Sequence, residues 1–247
     1  GTMAEPVCGP GDASGATDQG VTDDSIQIGT ISDPGNTIIP GLLQEFFDAA
    51  EAFVTFCNGA GGINGREIEL VERDTKLVEA QQRIAEACEE DFMLVGGASG
   101  LDGTIVEPRV DCGLPQIPAF VNDPAALDAD LQVLQVGTDA DELDAGNYRL
   151  LQAAFPDQAD RFGILAADTQ SEGTPIVERI PTAIEPLGFT TVYANSTPPP
   201  PATVDNWRPY LEPAVDEDVQ MFEFTQTADQ AGAATGASAD AGLRPAI

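Results

Sequence analysis

From Ser25 the chain alternates. Ser25-Ile26-Gln27-Ile28-Gly29-Thr30-Ile31 is a β-branched run with the two-residue period of a half-buried strand. The turn-forming Ser32-Asp33-Pro34-Gly35-Asn36 ends it. The period then lengthens: Leu42, Leu43, Phe46, Phe47, Ala50, Phe53, Val54 and Phe56 recur at helical spacing and predict an amphipathic helix. Asn58-Gly59-Ala60-Gly61-Gly62-Ile63-Asn64-Gly65 stops that helix and turns the chain back. Glu67 to Glu72 alternates again and lands on Arg73-Asp74. Strand, helix and strand with this crossover length form a parallel βαβ unit. In open sheets of that kind ligands sit outside the carboxyl ends of the strands. The candidate site therefore starts at Ser32 to Asn36.

The same alternation continues. A second helix is predicted over Leu77 to Asp91, with Val78, Ile84, Ala85 and Ala87 as its apolar stripe. Phe92 to Val95 follows as a buried strand, then the loop Gly96 to Gly100 and a helix from Leu101-Asp102 to Val110. Cys112 to Pro118 supplies a turn and a short strand ending in Ala119-Phe120-Val121-Asn122-Asp123-Pro124. Leu131 to Val136 alternates as a strand, and the pattern restarts beyond Gly137. The second array predicts a helix near Asp141 to Phe155 and a strand Phe162 to Ala167, with Asp168 to Gly173 at its end. A helix through Ile184, a strand Phe189 to Ala194, a Pro198 to Pro201 connector and a helix Trp207 to Val215 come next. The strand Val219 to Phe224 ends at Thr225-Gln226-Thr227, an Ala/Gly-rich helix runs to Gly242, and Arg244 to Ile247 reads as the start of another strand. The expected class is α/β: two Rossmann-like lobes of parallel sheet flanked by helices, with a ligand cleft between them. The lobes are expected at 21–136 and 137–247, the second incomplete at its C-terminus, behind a flexible leader over 1–20.

Charge narrows the partners. Ten basic residues against 42 acidic ones give a net charge of −32, which excludes nucleic acid and anionic membrane as partners. Without histidine there is no Ser-His or Cys-His nucleophile and no His-ligated metal. No apolar run approaches the roughly 20 residues of a membrane helix. Cys8, Cys57, Cys88 and Cys112 show no metal spacing, and their even count favours disulfides in an extracytoplasmic compartment; buried free thiols are the alternative. In a flavodoxin-like strand order the second and third helices share a face, which pairs Cys88 with Cys112 and leaves Cys8 to reach Cys57. A loop of that size stabilises by about 3 kcal/mol.

The Ser25 to Ile31 strand, the Gly61-Gly62-Ile63-Asn64-Gly65-Arg66 turn after a long first helix, and Glu67 to Asp74 resemble the leucine/isoleucine/valine type of periplasmic binding protein, type I fold. Cys112-Gly113-Leu114-Pro115 and Ala241-Gly242-Leu243-Arg244-Pro245 are similar to later landmarks of that family. The resemblance implies a monomeric solute-binding protein, secreted and anchored by a lipid in its precursor. Its two lobes would close on a small ligand and hand it to an ABC permease, without enzyme activity, metal or cofactor. Members of the family are longer. Where amino-acid binders present a run of Ser and Thr, this chain has Ser99-Gly100-Leu101-Asp102 and Asn122, so a branched-chain amino acid fits the pattern poorly.

The strand-end residues nominated as ligand contacts are Ser32, Asp33, Ser99, Gly100 and Asn122 from the first lobe and Asp168, Glu172, Thr225 and Gln226 from the second. Hydroxyls, amides and helix-start N–H groups suit a carboxylate or carbonyl, and the acids suit an ammonium or hydroxyls. Each residue taken singly is equally a cap or a turn former; Phe120 is a candidate apolar wall. Two other functions share the pattern. One is a ligand-sensing ectodomain of the same fold; the other is a hydrolase working through Asp33, Asp74, Asp168 and Glu172, which lacks any supporting catalytic motif.

Overall fold

The computed structural model of the 247-residue chain describes residues 7–135, 143, 145–167, 175–199, 203–225 and 228–245. The chain forms two compact units, residues 1–140 and 141–247.

In the first unit β1 (Ser25–Ser32), β2 (Glu67–Asp74), β3 (Met93–Val95) and β4 (Gln116–Ile117) make a parallel sheet in the order β2-β1-β3-β4. α1 (Gln44–Gly59) lies on one face and α2 (Ala80–Glu90) with α3 (Gly103–Asp111) on the other. β1 and β2 pair from Ser25↔Glu67 to Ser32↔Asp74, so their carboxyl ends are level. The loops that leave them start side by side.

Several elements differ from the periodicity. α1 begins at Gln44; Leu43 takes a left-handed φ of 59° and stays in the loop. Phe47, Ala50, Val54 and Cys57 form the stripe that faces the sheet, which turns Phe53 and Phe56 outward at 46% and 68% exposure. α2 begins at Ala80 because Lys76 and Leu77 are both left-handed, and Val78 is 86% exposed instead of packed. A short helix, α4 (Pro124–Leu127), starts where Asp123 caps it by accepting from the Ala125 N–H at 3.0 Å. The strand expected over 131–136 reduces, among its described residues, to a single bridge between Gln116 and Gln132; Leu131 is left-handed there. Buried Arg109 holds that segment, donating to the carbonyls of Leu114, Asp130 and Leu131 at 2.9, 2.8 and 3.1 Å.

The leader is not loose from Cys8 onward. Cys8 is joined to Cys57 at the end of α1. Gly9 N–H donates to the Gly62 carbonyl at 2.7 Å, and Gly65 N–H returns to the Gly9 carbonyl at 3.1 Å. Arg66 grips the same segment through the carbonyls of Thr22 and Gly15 at 2.7 and 2.9 Å. This contact explains two turn glycines: at Gly61 (φ 110°) a Cβ would lie 2.7 Å from the Pro10 nitrogen, and at Gly65 (φ 89°) 2.6 Å from the Gly11 carbonyl oxygen. The other disulfide, Cys88–Cys112, bridges the ends of α2 and α3, which the strand order places on one face.

The second unit repeats the plan with β5 (Phe162–Ala166), β6 (Thr191–Ser196) and β7 (Met221–Thr225) in the parallel order β6-β5-β7. α7 (Val204–Asp216) and α8 (Ala228–Ala241) cover one face around Trp207, Leu211 and Phe222. α5 (Gly146–Ala154) and α6 (Ile176–Ile184) cover the other around Tyr148, Ile164 and Ile184. β6 begins at Thr191; Phe189, expected in that strand, packs edge-on against Phe162 and Tyr148 instead. Arg244 and Pro245 form no strand.

Candidate functional site

Four loops leave the carboxyl ends of β1 to β4, and one carboxylate ties three of them together. Asp33, fully buried after β1, accepts from the Thr75 hydroxyl and the Leu77 N–H (2.8 Å) of the β2 loop. Its other oxygen accepts from the Gly100 N–H of the β3 loop at 2.8 Å. Three donors on one buried carboxylate make a staple. The Ser32 hydroxyl, also buried, donates to the Leu43 carbonyl at 2.6 Å and fixes the approach to α1. Asp74 receives the N–H groups of Gly35 and Lys76 at 3.2 and 3.1 Å.

Asp102, which periodicity marked only as a helix start, links the β3 and β4 loops. Its carboxylate accepts from the Asn122 N–H at 2.6 Å and the Asp123 N–H at 3.2 Å. Burial pushes its pKa up to about 6 against those two hydrogen bonds. It lines a cavity of about 20 Å³ with Ser99, Gln116, Ile105 and Phe120, room for about one water. Ser99 is fully buried and its hydroxyl accepts from the Leu101 N–H at 3.3 Å. Phe120 stacks at a tilt on Phe46 of α1, ring centres 5.7 Å apart.

Because the native pKa of Asp102 lies above its unfolded value, the native state binds the extra proton between about pH 4 and 6. The cost of holding the charge is absent below that window and complete above it. Acidifying from pH 7 to 5 should therefore stabilise the protein relative to an Asp102→Asn variant by about 1 kcal/mol. Paired urea titrations at the two pH values measure this; equal responses would disprove it.

The structure thus brings Ser32, Asp33, Ser99, Gly100 and Asn122 together at one end of the first sheet. In the second unit Thr225 ends β7, its hydroxyl 3.4 Å from half-buried Glu223, whose carboxyl also receives the Tyr148 hydroxyl at 2.9 Å. Burial raises the Glu223 pKa and the Tyr148 pKa. Asp168, Glu172 and Gln226 lie outside the described residues. Sequence reasoning missed Asp102, Thr75 and Leu77, since their roles depend on loops meeting across the sheet. Among the described residues no three metal-ligating side chains gather.

Comparison with known proteins places this geometry. No curated protein matches the chain in sequence. In structure, the chain is similar to a fatty acid ABC transporter substrate-binding protein from Thermomonospora curvata (TM-score 0.71, 20% identity, 96% of this chain and 60% of that one). It is also similar to the branched-chain amino acid transporter substrate-binding protein LivJ from Streptococcus pneumoniae, solved with isoleucine (0.69, 18%, 90% and 63%). A solute-binding protein from R. palustris in complex with 4-hydroxybenzoate is a third likeness (0.67, 16%, 89% and 59%). The chain spans about three fifths of the length of these structures. A family model described as "Periplasmic binding protein" matches residues 25–247, nearly the whole chain, and with the 2-1-3-4 parallel sheet and its strand-end loops it establishes that this chain belongs to the periplasmic binding protein family, type I fold.

Proposed function

We propose that the protein is an extracytoplasmic solute-binding protein that captures a small organic molecule for an ABC importer. The observation that carries this reading is the stapled set of loops at the carboxyl end of the first sheet, in a chain of this family. Three strand-end loops held rigid by one buried carboxylate are a preorganised wall for a ligand. Two disulfides suit an oxidising compartment outside the cytoplasm.

In this reading Gly100 and Asn122, with Phe120, meet the ligand from the first unit, and buried Ser99 supports them through the Leu101 N–H. Ser32 and Asp33 shape the loops from beneath, since their polar atoms serve the loop backbone. Thr225 and the acids Asp168 and Glu172 would meet the ligand from the second unit. Ligand binding favours one conformational population, which the permease recognises.

A thermal-shift screen against amino acids, short peptides, aromatic acids, fatty acids and polyols tests the function. A ligand at a hundred times its Kd should stabilise by about 2.7 kcal/mol. A cooperative melt that no compound moves would refute the reading.

A further inference from the structure

The loops at the carboxyl end of the first sheet bury several polar side chains and, along with polar Thr37 and Lys76, expose large apolar ones. Ser32, Asp33, Thr75 and Ser99 are fully buried. Their hydroxyls and carboxylate are engaged with the Leu43 carbonyl, with one another, and with the N–H groups of Leu77, Gly100 and Leu101. The same loops expose Ile38 to 55% and Val78 to 86%. Leu77, Leu101 and Phe120, on the same set of loops, are half-buried. Leu77 lies over Gly100, where a Cβ would come within 2.9 Å of its methyl. Lys76, the exposed cation of this rim, is paired with Glu79 at 3.0 Å. Large apolar side chains exposed on the loops of a binding face mark what that face binds.

Building on the solute-binding reading, we infer that the first unit receives the apolar body of its ligand, and that the ligand class is a molecule with a hydrocarbon body and one small polar head. The buried hydroxyls of Ser32, Thr75 and Ser99 are already engaged by the loops and are not offered to a zwitterionic amino-acid head group. An alkyl or aryl body instead removes exposed apolar side chains of these loops, such as Ile38 and Val78, from water.

The test is calorimetric titration of the 247-residue chain with octanoate, octylamine, leucine and glucose. At least one eight-carbon probe should bind about ten-fold or more tightly than leucine or glucose, with the negative heat-capacity change of apolar burial. A double Ile38→Asp, Val78→Asp variant, altered only at exposed positions, should keep its melting temperature and lose at least about ten-fold in affinity for that probe. Leucine or glucose binding while no octyl compound does would overturn the ligand class and leave the solute-binding reading standing. Octyl binding unchanged in the variant would overturn the placement. No binding of any of the four, with none in the thermal screen, would overturn both readings.

Discussion

Replacing Asp33 with alanine should destabilise the protein by about 4 kcal/mol, because three donors lose one buried acceptor. The Leu77 and Gly100 N–H groups point at a site that the alanine methyl cannot serve, and the Thr75 hydroxyl is buried beside them. Asp33→Asn keeps one oxygen and the shape, so about half that loss is expected. Urea unfolding separates the two variants through the midpoint at constant slope. A loss under about 1 kcal/mol for the alanine would mean that water replaces the carboxylate and that the staple holds nothing. Ligand affinity should fall alongside, since the β1, β2 and β3 loops would no longer be held to one another.

The second large effect is expected at Arg73, on the α2 face of β2. Its guanidinium meets the Asp91 carboxylate in a two-pronged contact at 2.6 and 2.7 Å, with Glu90 at 3.0 Å and Glu86 at 3.6 Å alongside. Arg73 is 3% exposed and Asp91 is wholly buried, whereas Glu86 and Glu90 reach solvent. Gly29 makes room for this pair: a Cβ there would lie 2.2 Å from an Asp91 oxygen. Although burial opposes it, hydrogen bonding and attraction to Asp91 and Glu90 raise the Arg73 pKa. Arg73→Met should cost about 4 kcal/mol, since it leaves Asp91 charged in the interior with Gln27 as its remaining side-chain donor at 2.9 Å. Adding Asp91→Leu to that variant should restore much of the loss, because it removes the stranded charge. A double variant no better than the single one would show that the pair acts through shape instead.

Neither pair can be found by counting along the chain. Asp33 sits in a Ser-Asp-Pro-Gly-Asn turn, where any reading of local sequence sees a turn former, and its three donors come from residues 75, 77 and 100. By contrast β1 and β2 are legible, because an eight-residue alternation has few other interpretations. α1 is legible as a helix, yet its apolar residues exceed one face, so periodicity could not tell Phe47 from Phe53. α4 has four residues, fewer than any period can reveal, and only the Asp123-Pro124 start announces it. The 131–136 run alternates as a strand would, but Leu131 is left-handed and, among the described residues, Gln132 alone makes a bridge. Asp102 reads as a helix start, and its buried contacts with Asn122 and Asp123 are tertiary.

Phe53 and Phe56 lie on the outer face of α1, three residues apart, with the exposed alanines 49, 52 and 60 along the same stripe. A sticky strip of this kind is tolerated in a molecule of net charge −32 because like-charged copies hold one another at a distance. That protection has a range set by dissolved ions: about 10 Å at 0.1 M salt and about 3 Å at 1 M. In dilute buffer, then, the purified chain should stay monodisperse in light scattering. In concentrated salt the repulsion collapses to less than the size of a phenyl ring, and α1 becomes the handle by which the protein clings to hydrophobic resin or to itself.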